Sequence, residues 1–390
     1  MASESAGVDR GTAEWFDPEG GESRRPPLRG APRGPAGSVT VEPPFARIER
    51  GTHGASNHED PDLMTSLDRI GSLLGRAGVP SMFRMLRPGL RVVLYHHVGK
   101  EDDFTRHLRC TNTEEAFERH VDWYRRNYDL VSMDDVLSDD PLPRRALLIT
   151  FDDAYRSVLE TAGPILKSRS VPATLFLVTD PVFEGRMILD NLLSYAQSRN
   201  PSLIGEVVPG RSEDPVREIL LDEIPHGGLE ARRRIREAIE AGIGADAWRE
   251  ANDSGLYLRS EDVPRLRGCG ISIARHTASH ANLRLVEDLR SEVVDSWEGA
   301  GLDSTLRSFS FPFGSFDDAE PSVAELSRLG LGPLFLVEGC VNRGRSRIYY
   351  RTSVGDLDER SLAVELELKP VLRTLRKSRR MKALEAVACG

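Results

Sequence analysis

One stretch of the sequence restricts the fold more than any other, because an apolar run leads straight into two adjacent carboxylates. Residues 147–151 read Leu-Leu-Ile-Thr-Phe, and Asp152 and Asp153 follow. A continuous apolar run with β-branched members is typical of a parallel-sheet strand that is covered on both faces. Chemistry in α/β architectures collects at the carboxyl ends of such strands. We therefore expect a functional site at the two aspartates.

Further apolar runs follow along the chain, and helix-compatible segments separate them. The predicted strands cover residues 91–98, 129–133, 147–153, 172–178, 270–274, 308–314, 334–337 and 349–354. Strands that alternate with helices imply a parallel sheet, and this many repeats favour a barrel over an open sheet. The predicted fold class is therefore α/β.

Four regions are predicted along the chain. Residues 1–60 are rich in Gly, Pro, Arg, Glu and Ser without a hydrophobic period. We expect this tail to be disordered, because it cannot bury enough apolar surface to offset its ordering entropy. Residues 61–89 form a short amphipathic lead-in, residues 90–355 the main domain, and residues 356–390 a basic, helical tail. Within the main domain the alternation stops at residues 185–258, which we interpret as a helical insertion that could act as a lid.

The composition narrows the partners and the compartment. The formal net charge of −9 argues against nucleic acid as the main partner. The four cysteines lie far apart and include no CxxC pair, so they form neither a zinc–thiolate framework nor a dense disulfide pattern. No signal-peptide pattern and no run of 18 apolar residues occurs, so we expect a cytoplasmic protein without a membrane span. No feature specifies an oligomeric state.

Ionisable side chains also follow two other predicted strands. His276 and His280 come after the strand at 270–274, and the pair His96 and His97 ends the first strand. Two histidines four residues apart can share a metal ion if they lie on one face of a helical turn. With one carboxylate they make a set that leaves coordination positions open for water and substrate. Alone, the histidines could be a satisfied pair and the aspartates a helix cap, but their joint occurrence at strand ends favours a metal site.

These motifs resemble those of the polysaccharide deacetylases, the NodB-homology group of carbohydrate esterases. The matching motifs, in order, are Thr-Phe-Asp-Asp at 150–153, His-Thr-Ala-Ser-His at 276–280 and Phe-Pro-Phe-Gly at 311–314. Leu-Tyr-His-His-Val at 94–98 is similar to the opening of a subgroup of biofilm-polysaccharide deacetylases whose motif order is permuted. The resemblance covers residues 90–355 apart from the insertion. It implies the distorted (β/α)7-type barrel of that family.

The resemblance also implies a metal site and a general base. Asp153, His276 and His280 would bind one divalent metal ion, and Asp152 would be the base. An N/O ligand set suits Zn²⁺ best, with Co²⁺, Ni²⁺, Mn²⁺ or Fe²⁺ as alternatives. A metal-activated water can attack an amide carbonyl near neutral pH, and a nearby carboxylate can accept its proton.

Three further roles follow from the resemblance. The backbone N–H of Phe313, after Pro312, would hold the oxyanion together with the metal. The leaving amine needs a proton, and the permuted subgroup assigns this role to His96, with His97 as the alternative. Arg351, in a stretch similar to the late strand of the family, would orient Asp152 or form a surface salt bridge.

The sequence departs from the family pattern at two positions and also lacks a clear Leu-x-His motif near the C-terminus. Other branches have Arg two residues before the proline of the third motif, whereas this chain has Ser310, as in the permuted subgroup. Arg275 stands where the family usually has a small residue. It could bind an anionic substrate group or pair with a neighbouring carboxylate.

The function implied by the resemblance is removal of an N-acetyl group from an amino sugar by a metal-dependent hydrolase. The substrate would be a polysaccharide, an oligosaccharide or a glycosylated small molecule. A cytoplasmic location would favour a glycan precursor or a nucleotide sugar. One alternative is hydrolysis of a non-sugar amide, such as a formamide or cyclic ureide. A second alternative is an inactive sugar-binding protein, although intact Asp152, Asp153, His276 and His280 argue against a decayed site.

Overall fold

The computed structural model describes residues 88–208 and 224–389, together with Met82, Val216 and Ile219. The predicted disordered tail at 1–60 and almost all of the lead-in at 61–89 lie outside the described residues. The strands are β1 (Arg91–Tyr95), β2 (His97–Val98), β3 (Thr111–Asn112), β4 (Asp129–Leu130), β5 (Ala146–Asp153), β6 (Ala173–Leu177), β7 (Ile271–Arg275), β8 (Phe309–Ser310), β9 (Leu334–Leu336), β10 (Ile348–Tyr350) and β11 (Thr352–Ser353).

Helices follow most of the strands, as the sequence predicted. They are α1 (Glu114–Asn127), α2 (Met133–Leu137), α3 (Gly163–Ser168), α4 (Leu189–Arg199), α5 (Pro201–Val207), α6 (Ile224–Ile239), α7 (Ala245–Ser254), α8 (Val263–Arg267), α9 (Ser296–Gly299), α10 (Phe316–Ala319), α11 (Val323–Arg328), α12 (Glu359–Glu367) and α13 (Lys369–Cys389). Thr113 caps α1 by accepting a hydrogen bond from the Ala116 N–H, which satisfies a free donor of the first turn. No helix in the described ranges is long and apolar enough to cross a membrane.

The main sheet is a parallel barrel with seven strand positions. Its order runs β1, β5, β6, β7, β8, β9 and then the segment formed by β10 and β11. β10 pairs with β9, and β11, one residue further on, pairs with β1 through Val93 and Thr352. The same stretch of chain therefore bonds to both neighbours and closes the ring. This confirms the predicted distorted (β/α)7-type barrel.

Strand β5 is the longest strand of the barrel wall, and all eight of its residues are buried. It pairs with β1 on one side and with β6 on the other, and Asp152 is in register with Phe176. One apolar cluster takes a side chain from each of six strands and fills the barrel interior: Val92, Leu148, Phe176, Ala274, Phe335 and Tyr349. Because successive side chains of a strand alternate between faces, the set of β5 that contains Leu148 also contains Asp152.

The helices of the 185–258 segment share the main hydrophobic core with the barrel. Leu192 and Leu193 of α4, Ile235 of α6 and Ala251 of α7 pack in the same cluster as Phe151 of β5. A segment anchored by this much apolar surface does not fit the lid interpretation, because opening it would expose the core to water. The C-terminal region is helical and also packs on the domain, with Leu362 and Leu384 buried.

Candidate active site

Asp152 and Asp153 approach the same histidine although they are neighbours on a strand. Adjacent strand residues point to opposite faces, so a regular strand would separate the two carboxylates. Asp153 instead has a φ of 74°, in the left-handed region, at the point where β5 ends. An Asp152 carboxylate oxygen lies 3.6 Å from Nε2 of His276, and an Asp153 oxygen lies 3.7 Å from the same atom.

His276 and His280 follow β7 in a loop rather than in the helical turn expected from their spacing. Thr277 has a φ of 68° and His280 a φ of 57°, so two left-handed residues fold the loop back on itself. His276 donates from Nδ1 to the carbonyl of Ser310 at 2.8 Å, which leaves its Nε2 as the free ring nitrogen. Nε2 of His280 lies 3.4 Å from the Asp153 carboxylate. Left-handed residues other than Gly cost energy, and they cluster here at one site.

The three side chains fit a metal ion. One ligand atom from each of Asp153, His276 and His280 lies within 4.8 Å of the others, and all three residues are buried. Ligand atoms about 2.1 Å from a tetrahedral Zn²⁺ lie about 3.4 Å from each other, close to the distances found from Asp153 to both rings. The Asp153 oxygen that faces both rings is buried and has no hydrogen-bond partner among the described residues. A carboxylate oxygen in that position needs a cation.

The electrostatics of the two rings agree with a cation site. Burial lowers the pKa of His276 to about 4, so the ring is neutral, as a metal ligand must be. Burial also works against a charge on His280, but the carboxylates of Asp190 and Asp153 outweigh it and raise its pKa to about 9. A positive charge is therefore favoured among these carboxylates, and a divalent ion would supply one.

Asp152 forms a buried ion pair with Arg351. Both Nη atoms of Arg351 donate to the two carboxylate oxygens at 2.6 Å, and one of them also donates to the Ser310 hydroxyl at 2.5 Å. Burial opposes the charge on Asp152, but Arg351 and His276 overcome it and lower the carboxyl pKa to about 2. Arg351 is the residue between β10 and β11 and is fully buried, so the surface salt bridge considered above does not form.

The remaining predicted residues lie around these groups. Tyr95 pairs with Phe151 in the sheet, so His96 follows β1 beside Asp152. His97 instead packs against Tyr155, with ring centroids 5.5 Å apart. Phe313 follows the buried Pro312, and its ring centroid lies 5.3 Å from that of His280.

Phe313 also has a backbone suited to presenting its N–H group. Its φ is 63°, and no hydrogen bond from this N–H is found within the described part of the chain.

Arg275 has neither of the roles considered from the sequence. It is buried and donates from Nε to the Leu306 carbonyl at 2.7 Å and from Nη1 to the Val293 carbonyl at 2.9 Å. Its guanidinium lies 4.9 Å from the centre of the Trp297 ring. The side chain therefore ties the segments after β7 together, and within residues 88–208 and 224–389 no carboxylate lies at ion-pair distance from it.

Two residues that the sequence did not single out reach the site from the 185–258 segment. Asp190 of α4 lies 3.3 Å from Nδ1 of His280, and Arg232 of α6 donates to the carbonyls of Ser279 and His280. Both side chains are buried. The only signal in the sequence was an ionisable residue inside an otherwise apolar helical pattern, and such residues are too common to identify a site.

Comparisons with known proteins agree with these motifs. The family model described as polysaccharide deacetylase matches residues 139–209, which include Asp152 and Asp153. A poly-beta-1,6-N-acetyl-D-glucosamine N-deacetylase of Staphylococcus epidermidis is 27% identical over 117 residues, 26% of this chain and 40% of that protein. A Bacillus subtilis protein named as a candidate polysaccharide deacetylase is 31% identical over 94 residues, 23% of this chain and 32% of that protein. The matches thus span two fifths or less of these relatives.

Among solved structures, IcaB from Ammonifex degensii is similar with a TM-score of 0.46 and 18% identity, and the match covers 72% of this chain and 97% of that one. Of the three motifs, the segment matched by the family model contains the first, Thr-Phe-Asp-Asp at 150–153. Over the segment that carries Asp152 and Asp153, the chain is similar to polysaccharide deacetylases.

Proposed function

We propose that the protein is a metal-dependent hydrolase that removes the N-acetyl group from an amino sugar. The observation that carries the proposal is the convergence of Asp153, His276 and His280 beside the buried pair of Asp152 and Arg351. When bound by the first three residues, a divalent ion, with Zn²⁺ the best match to N/O ligands, would make a water acidic and polarise the amide carbonyl.

In this proposal Asp152 takes the proton of the attacking water. Its carboxylate lies 3.6 Å from Nε2 of His276, so it faces the same space as the ligand atoms. Arg351 keeps the carboxylate ionised and holds its orientation through two hydrogen bonds. The N–H of Phe313 would donate to the oxyanion that forms on the carbonyl oxygen.

The leaving amine takes its proton from His96. This assignment depends on the permuted motif order and is supported by the position of His96 beside Asp152 at the end of β1. His97 is the weaker candidate, because burial lowers its pKa and its ring packs against Tyr155. A lowered pKa means that a smaller fraction of the His97 rings carries a proton to donate near neutral pH. The packing against Tyr155 also turns the ring towards a tyrosine side chain.

The substrate class is inferred from the relatives. The Staphylococcus epidermidis relative is named as a deacetylase of poly-beta-1,6-N-acetyl-D-glucosamine. We therefore propose an N-acetylated amino sugar, presented as a polysaccharide, an oligosaccharide or a glycosylated small molecule.

The test is amine release from a panel of N-acetyl amino sugars, from monosaccharide to oligomer and nucleotide sugar. The purified protein is assayed before and after chelation, and again after addition of Zn²⁺ or Co²⁺. We expect activity that chelation abolishes and metal restores. Asp152→Asn should lower kcat by about 10²- to 10⁴-fold, as expected for loss of a general base, whereas Asp129→Asn at the barrel surface should not.

Two outcomes would contradict the proposal. Stoichiometric metal binding without turnover of any sugar would point to a non-sugar amide, which a panel of formamides and cyclic ureides would identify. Failure to bind a divalent metal would favour an inactive sugar-binding protein.

A further inference from the structure

Asp190 contacts a proposed metal ligand from outside the family motifs. It is the second residue of α4, in the segment where the strand–helix alternation stops, and its side chain is buried. One carboxylate oxygen lies 3.3 Å from Nδ1 of His280. The other ring nitrogen of His280, Nε2, is the atom that faces Asp153 at 3.4 Å. The ring therefore stands between two carboxylates, one on each nitrogen.

Arg232 holds the backbone of the same histidine. One of its Nη atoms donates to the Ser279 carbonyl at 3.2 Å and to the His280 carbonyl at 3.4 Å. His280 has a left-handed backbone, a conformation that a non-Gly residue keeps only when its surroundings enforce it. Arg232 is buried and belongs to α6. A second helix of the 185–258 segment therefore also contacts the loop that carries His280.

A histidine binds a metal well only when its ring is fixed in orientation and in tautomer. A carboxylate that accepts the Nδ1–H leaves the Nε2 lone pair free, fixes the ring plane and makes the ring a stronger donor to the metal. Asp190 has a carboxylate oxygen 3.3 Å from Nδ1 of His280, and a small rotation of either side chain would turn this contact into such a hydrogen bond. His276 reaches the same state by donating from Nδ1 to the Ser310 carbonyl.

We propose that Asp190 and Arg232 are positioning residues for His280, with Asp190 fixing its ring and tautomer and Arg232 fixing its backbone. The 185–258 segment is then a structural part of the metal centre rather than a cover over it. The inference rests on the proposed function, since it assumes that His280 binds a metal ion.

The test measures metal affinity in the full chain, with Zn²⁺ and Co²⁺ in competition with a chromophoric chelator. Asp190→Ala should raise the Kd by about 10- to 100-fold, the usual cost of losing a carboxylate behind a ligating histidine. Asp190→Asn keeps an acceptor oxygen in the same place and should recover most of the affinity. The matched control is Asp262→Asn, because Asp262 is also a buried, ion-paired aspartate but pairs with Arg265 and Arg156 rather than with His280.

A second readout separates positioning from general structural damage. In ¹⁵N-histidine NMR of the metal-loaded protein, His280 should be protonated at Nδ1 in the wild type and in Asp190→Asn. In Asp190→Ala we expect the Nδ1–H signal to broaden, because the carboxylate no longer slows exchange of this proton with solvent. Arg232→Lys should raise the Kd severalfold without a change of tautomer, and it serves as the test if Asp190→Ala fails to fold.

The results distinguish the inference from the proposed function. Wild-type affinity in both Asp190→Ala and Arg232→Lys, with an active wild-type enzyme, would overturn the inference and leave the function standing. A wild type that binds no metal would overturn both.

Discussion

The ion pair between Arg351 and Asp152 predicts a large loss of stability when the arginine is removed. Both hydrogen bonds are 2.6 Å long, and neither side chain reaches solvent. Arg351→Met keeps an apolar stem over the Phe176 ring but leaves the carboxylate without its counter-charge. Breaking a buried pair by removing one partner costs about 3–5 kcal/mol. We expect a loss of that size in the free energy of unfolding at pH 7.

The loss should depend on pH in a defined direction. Burial opposes ionisation of Asp152, yet its pKa is lowered from 3.8 to about 2, chiefly by Arg351. A lowered carboxyl pKa adds stability above about pH 4, and this stability is lost as the pH falls through 2; its size is about 2 kcal/mol. Without Arg351, burial raises the carboxyl pKa, so Asp152 is protonated at a higher pH and no longer places an unpaired charge in the core. The difference in the free energy of unfolding between wild type and Arg351→Met should therefore become smaller from pH 7 to pH 3.

Urea unfolding of chelator-treated protein at pH 7, 5 and 3 provides the measurement. Chelation ensures that a bound metal does not contribute to either protein. The control is Arg343→Met, an exposed arginine in the loop before β10, which should change stability by less than about 0.5 kcal/mol. A loss under 1 kcal/mol at pH 7, or a gap that stays constant on acidification, would refute the reasoning.

Three further predictions concern the residues around the site. Burial raises the pKa of Asp180 to about 6, so this carboxyl adds stability at low pH that is lost as the pH rises through 6. Between pH 4 and 7 the melting temperature of Asp180→Asn should therefore fall less than that of the wild type. Gly314 has a φ of 66°, and an added Cβ would lie 2.9 Å from the Val337 nitrogen, so Gly314→Ala should cost about 1–3 kcal/mol in urea unfolding. Gly299→Ala, in open space within α9, should instead stabilise by up to about 1 kcal/mol, and equal effects at the two glycines would contradict this account. Arg275→Met removes the guanidinium donor of the Leu306 and Val293 carbonyls and should cost about 1–3 kcal/mol in urea unfolding. A change below about 0.5 kcal/mol would show that water replaces the guanidinium.

The parallel barrel was predictable because most of its strands are short apolar runs between helix-compatible segments. The carboxyl-end rule for parallel strands then placed Asp152, Asp153 and the histidines at one edge. The spacing of His276 and His280 suggested a helical turn, however, and the turn is absent. Left-handed backbone at Thr277 and His280 is imposed by tertiary contacts, which spacing does not encode.

The contributions of the 185–258 segment could not be predicted from the sequence. Asp190 and Arg232 come from helices that show no barrel periodicity, and they reach His280 only because those helices pack on the barrel. The orienting role of Arg351 was expected only from the family resemblance, because Asp152 becomes its neighbour only when the last strand closes the ring. Long-range contacts of this kind depend on topology rather than on local pattern.

Ring closure by the last strand also has a consequence for synthesis. Arg351 is 199 positions from Asp152, so the acidic strand leaves the ribosome long before its counter-charge is made. Until the final strand arrives, β1 and β9 are open edges with unpaired backbone groups, and burial of an ionised Asp152 is unfavourable. One event therefore seals the edges and brings Arg351 to Asp152. A chain truncated before residue 348 would tend to pair its open edges with other chains.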